Sequence, residues 1–151
     1  MNIIKPPQAL EVTSPSIFLA GSIELDKAEF WQDRVCEALA DSQVTILNPR
    51  RDSWDASWPQ VMSFAPFREQ VEWELEALEL ADMILLYFDP ATKSPISLLE
   101  LGLHARSKKM AVCCPAGFWR KGNVDIVCAR YGVLQVETLA DLVNWVREQL
   151  K

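Results

Sequence analysis

The chain has 151 residues, half of them hydrophobic and 24% charged, and its formal net charge is −6. This balance is that of a globular protein and excludes a disordered chain, and the length predicts a single domain over residues 1–151. Because Lys and Arg occur only in ones and twos, no basic stripe is available for duplex nucleic acid, and we exclude that partner.

The apolar segments are too short for a membrane protein. No run of about 18 apolar residues occurs, and the N-terminal residues contain no apolar stretch of signal-peptide length. The four cysteines form no CxxC pair, which favours reduced thiols over a metal site or disulfides. We therefore expect a cytoplasmic protein without a membrane partner and without a bound metal.

The first half of the chain begins with a strand and a helix. Ser16–Ala20 is a short apolar run and predicts the first strand. Residues 26–40 have apolar positions at helical spacing, and residues 44–47 predict the second strand. Residues 50–66, rich in tryptophan and proline, show no period and are predicted to form a long loop, which in a compact domain is often functional.

The second half repeats the alternation of helix and strand. Residues 81–88 are almost continuously apolar, which is typical of a central strand buried on both faces. The other predicted elements are helices at 67–80, 96–107 and 139–150 and strands at 110–114 and 132–136. Together these elements predict a three-layer α/β/α domain with a doubly wound, five-stranded parallel sheet.

In a doubly wound sheet, ligands bind outside the carboxyl ends of the strands, where the strand order reverses. Three polar segments follow the first three predicted strands: Gly21-Ser22, Asn48 to Trp54, and Asp89 to Glu100. We expect them to converge at one edge of the sheet. This argument predicts the place of a site and not its reaction.

Glu100 is the residue in these segments best suited to chemistry. It lies among leucines early in a predicted helix, where a carboxylate is costly unless it has a partner or a task. The helix dipole predicts an ionised side chain, as a nucleophile requires. The alternative is an ordinary surface glutamate.

Other candidates have structural alternatives. The glycine of Gly21-Ser22-Ile23 would let a ligand approach the backbone, and the alternative is a tight turn between strand and helix. Asp89 ends the central strand at the expected site. Trp54 could stack on a planar base, although packing is the usual role of tryptophan.

Three segments resemble the nucleoside 2-deoxyribosyltransferase superfamily, including its deoxynucleoside-monophosphate N-glycosidase branch. They are Phe18–Ile23, Glu74 with the strand from Ala81 to Asp89, and Ser97–Gly102. The segments at 48–54, 73–75 and 117–123 are similar to a nucleoside 2-deoxyribosyltransferase-like branch, so the resemblance spans nearly the whole chain.

The resemblance implies a flavodoxin-like fold and cleavage of a C1′–N glycosidic bond without a cofactor. Glu100 falls at the family's nucleophile, and Glu74 falls where the family has an acid that contacts or protonates the base. The resemblance also implies a nucleoside or nucleotide substrate and a homo-oligomer. The substrate-binding residues predicted from these segments are Gly21, Ser22, Ile23, Arg51, Trp54, Asp89, Ser97 and Asn123.

The sequence departs from the family pattern in three ways. Glu74 replaces a shorter aspartate, a second aspartate after the central strand is not evident, and Ala20-Gly21-Ser22 lacks the family's aromatic residue. Two alternatives therefore stay open beside the glycosidic enzyme. One is a nucleotide-binding module without turnover, and the other is a hydrolase of a larger, NAD-type dinucleotide.

Overall fold

A computed structural model describes residues 1–13, 15–24 and 29–151, and these residues form six strands and five helices. The strands are β1 (Asn2–Ile4), β2 (Ser16–Gly21), β3 (Thr45–Leu47), β4 (Met83–Tyr87), β5 (Met110–Cys113) and β6 (Leu134–Val136). The helices are α1 (Trp31–Ala38), α2 (Ala65–Leu80), α3 (Pro95–His104), α4 (Lys121–Tyr131) and α5 (Leu139–Gln149).

The six strands form one parallel sheet in the order β1-β3-β2-β4-β5-β6. The chain moves from β2 to one side for β3 and then crosses to the other side for β4, so the strand order reverses between β2 and β4. The predicted α/β class with a parallel sheet is confirmed. The expected ligand position is the carboxyl end of β2 and β4.

Helices cover both faces of the sheet. Side chains of α2, α3 and α4 pack in one core with the sheet, and side chains of α1 and α5 pack in a second core on the opposite face. All five residues of β4 are buried, as the continuous apolar run predicts for a central strand. No described helix is long and apolar enough to cross a membrane.

The predicted count of five strands was wrong by one. β1 has only three residues and pairs along β3 at the edge of the sheet, and so short a segment gives no readable alternation. Helix α4 was also missed, because it buries only Val124 and Cys128 and its apolar pattern is weak. The helix predicted at 26–40 begins at Trp31 in the structure, and residues 25–28 lie outside the described part of the chain.

Gly21 ends β2 at a point where the chain has no room for a side chain. Its φ is 145°, and a Cβ would overlap the carbonyl oxygen of Tyr87 and lie 2.9 Å from a ring carbon of Trp31. The sheet register pairs Gly21 with Tyr87 of β4. The close approach that the sequence predicted at this glycine is therefore made by the neighbouring strand.

We expect Gly21→Ala to lower the free energy of unfolding by at least about 3 kcal/mol, because it adds backbone strain and an overlap in a packed site. Gly102→Ala is the matched control, since nothing lies within 4 Å of an added Cβ on this α3 residue. That control should change the free energy by at most about 1 kcal/mol, in the stabilising direction. Urea denaturation measures both, and equal midpoints for the two variants would contradict the strain argument.

Candidate active site

Glu100 lies on α3, the helix that follows β4. Its side chain is 7% exposed, and Ser97 and Leu101 are buried on the same side of the helix. Burial, and to a lesser extent the nearby charge of Glu74, raise the pKa of the Glu100 carboxyl to about 8. No hydrogen bond from a described residue offsets this burial. Glu100 is therefore a buried acid and not a surface glutamate.

The expectation that the helix dipole keeps Glu100 ionised is corrected by this environment. Glu100 is the sixth residue of α3, and the field of a helix terminus fades within the first turn. The free-energy cost of removing water from the carboxylate is larger than the stabilisation that the helix dipole still gives at this position. The Glu100 carboxyl therefore has a raised pKa and not a lowered one.

Glu74 lies on α2 and is held by a glutamine one helical turn before it. The Gln70 Nε2 donates to Glu74 Oε1 at 2.8 Å and to the carbonyl oxygen of Pro49 at 3.0 Å. Because the Pro49 oxygen can only accept, it fixes the amide so that the NH₂ group faces Glu74. Burial raises the pKa of Glu74 to about 7, and the hydrogen bond from Gln70 opposes that rise.

Gln70 is a residue that the sequence analysis missed. Its side chain is buried, and its Oε1 has no hydrogen-bond partner among the described residues. The signal available in the sequence was its spacing of four residues from Glu74, which places both side chains on one face of α2.

The structure brings the two predicted catalytic carboxyl groups together. Glu74 and Glu100 come from α2 and α3, which pack on the same face of the sheet, and the charge of Glu74 acts directly on Glu100. Two coupled acids with pKa values of about 7 and about 8 lose their protons one after the other. Between those values the pair holds one proton, which rests mainly on Glu100 because its pKa is the higher. Transfer of that proton to Glu74 gives the form in which Glu100 can attack and Glu74 can donate.

Three hydroxyl groups join the end of β2 to the loop before α3. The Ser22 Oγ lies 2.9 Å from Thr92 Oγ1 and 2.6 Å from Ser94 Oγ, and the latter two lie 2.7 Å apart. Ser22 Oγ also accepts from the backbone N–H of Asp89 at 2.9 Å. All four residues are buried. The cluster fixes the start of α3, the helix that carries Glu100.

Asp89 is placed at the carboxyl end of β4, as predicted, and its carboxylate is engaged with backbone groups. Its Oδ2 accepts from the N–H of Glu29 at 3.0 Å and its Oδ1 from the N–H of Ala91 at 2.9 Å. Thr92 and Ser94, its neighbours in the hydroxyl cluster, were missed from the sequence. Small polar residues between a strand and a helix were the only signal for them.

Arg51 and Trp54 belong to an aromatic cluster within the loop after β3. The Trp54 ring lies 5.0 Å from the Trp58 ring, and the Arg51 guanidinium lies 5.1 Å from the Trp58 ring centre. Arg51 Nη1 is buried and has no partner among the described residues. The contacts recorded for both residues lie within this loop.

Asn123 lies on α4. It lines a groove of about 310 Å³ between α3 and α4 together with Leu98, Leu101, Gly102, Arg120 and Val127. Ser97, in contrast, is buried one turn before Glu100, and Ile23 is partly buried just after β2. Among the described residues, no three His, Cys, Asp or Glu side chains cluster as metal ligands would.

The family model described as "Nucleoside 2-deoxyribosyltransferase like" matches residues 14–118, which is more than half of the chain. The chain belongs to this family. The matched region contains both Glu74 and Glu100, and the resemblance stated from the motifs is confirmed. Membership supports an enzyme of the nucleoside deoxyribosyltransferase type, with N-deoxyribosyl transfer or glycosidase activity on a small-molecule substrate.

A solved structure shows the same fold as this nucleoside 2-deoxyribosyltransferase-like protein. The crystal structure of a conserved protein from Enterococcus faecalis V583 has a TM-score of 0.60 and 13% sequence identity, and the match covers 89% of this chain and 98% of that one. No curated protein matches the chain.

Proposed function

We propose that this protein cleaves the C1′–N glycosidic bond of a (deoxy)nucleoside or nucleotide, with Glu100 as nucleophile and Glu74 as general acid. The observation that carries the proposal is the coupled carboxyl pair of a buried Glu100 on α3 and a partly buried Glu74 on α2 in a member of this family. A pair that holds one proton near neutral pH supports two-carboxylate glycosidic chemistry.

In the first step an ionised Glu100 oxygen forms a bond to C1′ while the C1′–N bond breaks. The electron pair of that bond passes to the base, and the proton held by Glu74 goes to a nitrogen of the leaving base. The products are a glycosyl ester on Glu100, an ionised Glu74 and a free base. Since the higher pKa belongs to Glu100, the attacking form is the less populated one, in which the proton of the pair has moved to Glu74.

In the second step water or another base attacks C1′ and displaces the Glu100 carboxylate. The proton of the attacking group returns to Glu74, so the pair ends with the one proton with which it began. Water gives hydrolysis and a second base gives transfer. The same two residues serve either outcome.

Three exposed apolar side chains on α3 support the prediction of a homo-oligomer. Ile96, Leu99 and Leu103 are each more than half exposed and recur at helical spacing. Apolar side chains grouped in this way are typical of surfaces that contact another protein. The homo-oligomer and the cytoplasmic location stay predictions, as do the substrate contacts of Arg51, Trp54 and Asn123.

The proposal predicts a narrow bell-shaped pH dependence. Free base should be released from at least one member of a panel of (deoxy)nucleosides and nucleotides, and kcat/KM should be highest between about pH 7 and about pH 8. Below that range both groups are protonated and Glu100 cannot attack. Above it both are ionised, and Glu74 has no proton to give.

Chromatography of released base from about pH 5 to about pH 9 measures this profile. In Glu74→Gln the residual activity should lose the alkaline limb. Its acid limb should not move to lower pH, because Glu74 is already uncharged where both groups are protonated. An optimum near pH 4.5, the ordinary pKa of a glutamate, would contradict the coupled pair.

A further inference from the structure

The side-chain amide of Gln70 joins Glu74 to the loop that follows β3. Its Nε2 carries two hydrogens and makes two hydrogen bonds, to Glu74 Oε1 at 2.8 Å and to the carbonyl oxygen of Pro49 at 3.0 Å. Pro49 lies two residues after the end of β3. The position of the Glu74 carboxyl therefore depends on a backbone group that lies outside its own helix.

This arrangement is costly for a side chain that only packs. Gln70 is 6% exposed, and its Oε1 is buried without a hydrogen-bond partner among the described residues. A buried oxygen without a partner destabilises a fold, and an apolar side chain of similar size would fill the position without that cost. Turning the amide over would place Oε1 against the Pro49 oxygen, which can only accept. The amide therefore keeps the orientation in which its NH₂ group serves Glu74.

The direction of this hydrogen bond determines which oxygen of Glu74 can hold a proton. Oε1 accepts from the Gln70 Nε2, so a proton on Oε1 would point at an N–H hydrogen. No described residue makes a hydrogen bond to Oε2 of Glu74. Oε2 is therefore the oxygen on which a proton can be carried.

We propose that Gln70 is a positioning residue, which holds Glu74 through Oε1 so that Oε2 carries the proton and passes it to a nitrogen of the leaving base. This inference rests on the proposed function, in which Glu74 is the general acid. As the C1′–N bond breaks, its electron pair goes to the base, the Oε2 proton moves to the base nitrogen, and Glu74 becomes a carboxylate. The hydrogen bond from Gln70 is stronger to that carboxylate than to the neutral acid, because its acceptor is then charged.

Gln70→Met keeps nearly the size of the side chain and removes both donated hydrogen bonds. The Gln70 hydrogen bond opposes the rise in the pKa of Glu74, so its loss should raise that pKa. Glu100 on α3 is coupled to Glu74, and no other described charge acts on the pKa of Glu74, so the pair should lose both of its protons at higher pH. Both limbs of the kcat/KM profile should therefore move to higher pH, by about half a pH unit or more. Gln149→Met makes the same change at an exposed position on α5 and should leave the profile as it is.

A glutamine that only packs would give a different result. Gln70→Met would then lower the melting temperature or the activity and leave both limbs of the profile in place, and that outcome overturns the inference. Gln70→Leu also removes the donors and makes the same test if the methionine variant does not fold.

NMR titration of the side-chain carboxyl carbons provides a readout that needs no substrate. The Glu74 signal, identified by its absence from Glu74→Gln, should titrate at higher pH in Gln70→Met than in the wild type. The NH₂ signals of Gln70 in the wild type should shift with the same midpoint as Glu74. An unchanged Glu74 midpoint in Gln70→Met, or Gln70 signals that do not follow the titration, overturns the inference. Absence of base release from every substrate contradicts the proposed function instead, and the NMR measurement then decides on Gln70 alone.

Discussion

Glu100→Gln is expected to lower kcat for base release by at least about a thousandfold, because an amide cannot form the glycosyl ester that a carboxylate forms. Glutamine has nearly the same size as glutamate, so the buried position beside Ser97 and Leu101 stays filled. The loss therefore reports chemistry and not collapse of the site. Single-turnover assays with excess enzyme, read by chromatography of the free base, measure it.

The matched control is Glu76→Gln, which makes the same change at an exposed position on α2. We expect this variant to retain activity within about twofold of the wild type. Intact-protein mass spectrometry adds a second readout, since wild-type protein mixed with substrate should gain the mass of a sugar and Glu100→Gln should not. Wild-type turnover in Glu100→Gln would rule out this residue as the nucleophile.

The same substitution should stabilise the fold in mildly alkaline solution. The pKa of Glu100 is about 8 in the folded protein. In the unfolded chain we take the ordinary glutamate pKa of 4.5. The folded protein therefore binds the Glu100 proton more tightly than the unfolded chain does. The contribution of this group to stability is complete below about pH 4.5 and is lost as the pH rises through about 8. A glutamine at this position does not titrate.

At pH 8 we therefore expect Glu100→Gln to have a free energy of unfolding higher than the wild type by about 2 kcal/mol or more, and at pH 4.5 by little. Urea denaturation of both proteins at the two pH values measures the difference. Glu76→Gln again serves as the control for the substitution itself. A stability gain of equal size at both pH values would show that the pKa of Glu100 is not raised by folding.

These two expectations belong together. A catalytic carboxyl group that is buried without a hydrogen-bonding partner costs stability, and removing its charge should restore stability while removing function. Glu74 has Gln70 to stabilise its charge, whereas no described residue plays that part for Glu100. The larger stability effect is therefore expected at Glu100.

The sequence by itself determined the class of fold and predicted the place of the candidate site. Alternation of apolar runs with helical patterns requires crossover connections, and a continuously apolar run such as that of β4 has to lie in the middle of a parallel sheet. The position of Glu100 after that strand then follows from chain order. Each of these inferences depends on residues close to one another in the chain.

Only the tertiary structure decided how the candidate site is charged and what surrounds it. The coupling of Glu74 to Glu100 and the contact of Ser22 with Ser94 at the start of α3 join residues that lie far apart in the chain. The helix dipole, a local property, predicted an ionised Glu100, and burial produced the opposite shift. Desolvation and Coulomb energy depend on distances through space, which a pattern of neighbouring residues does not contain.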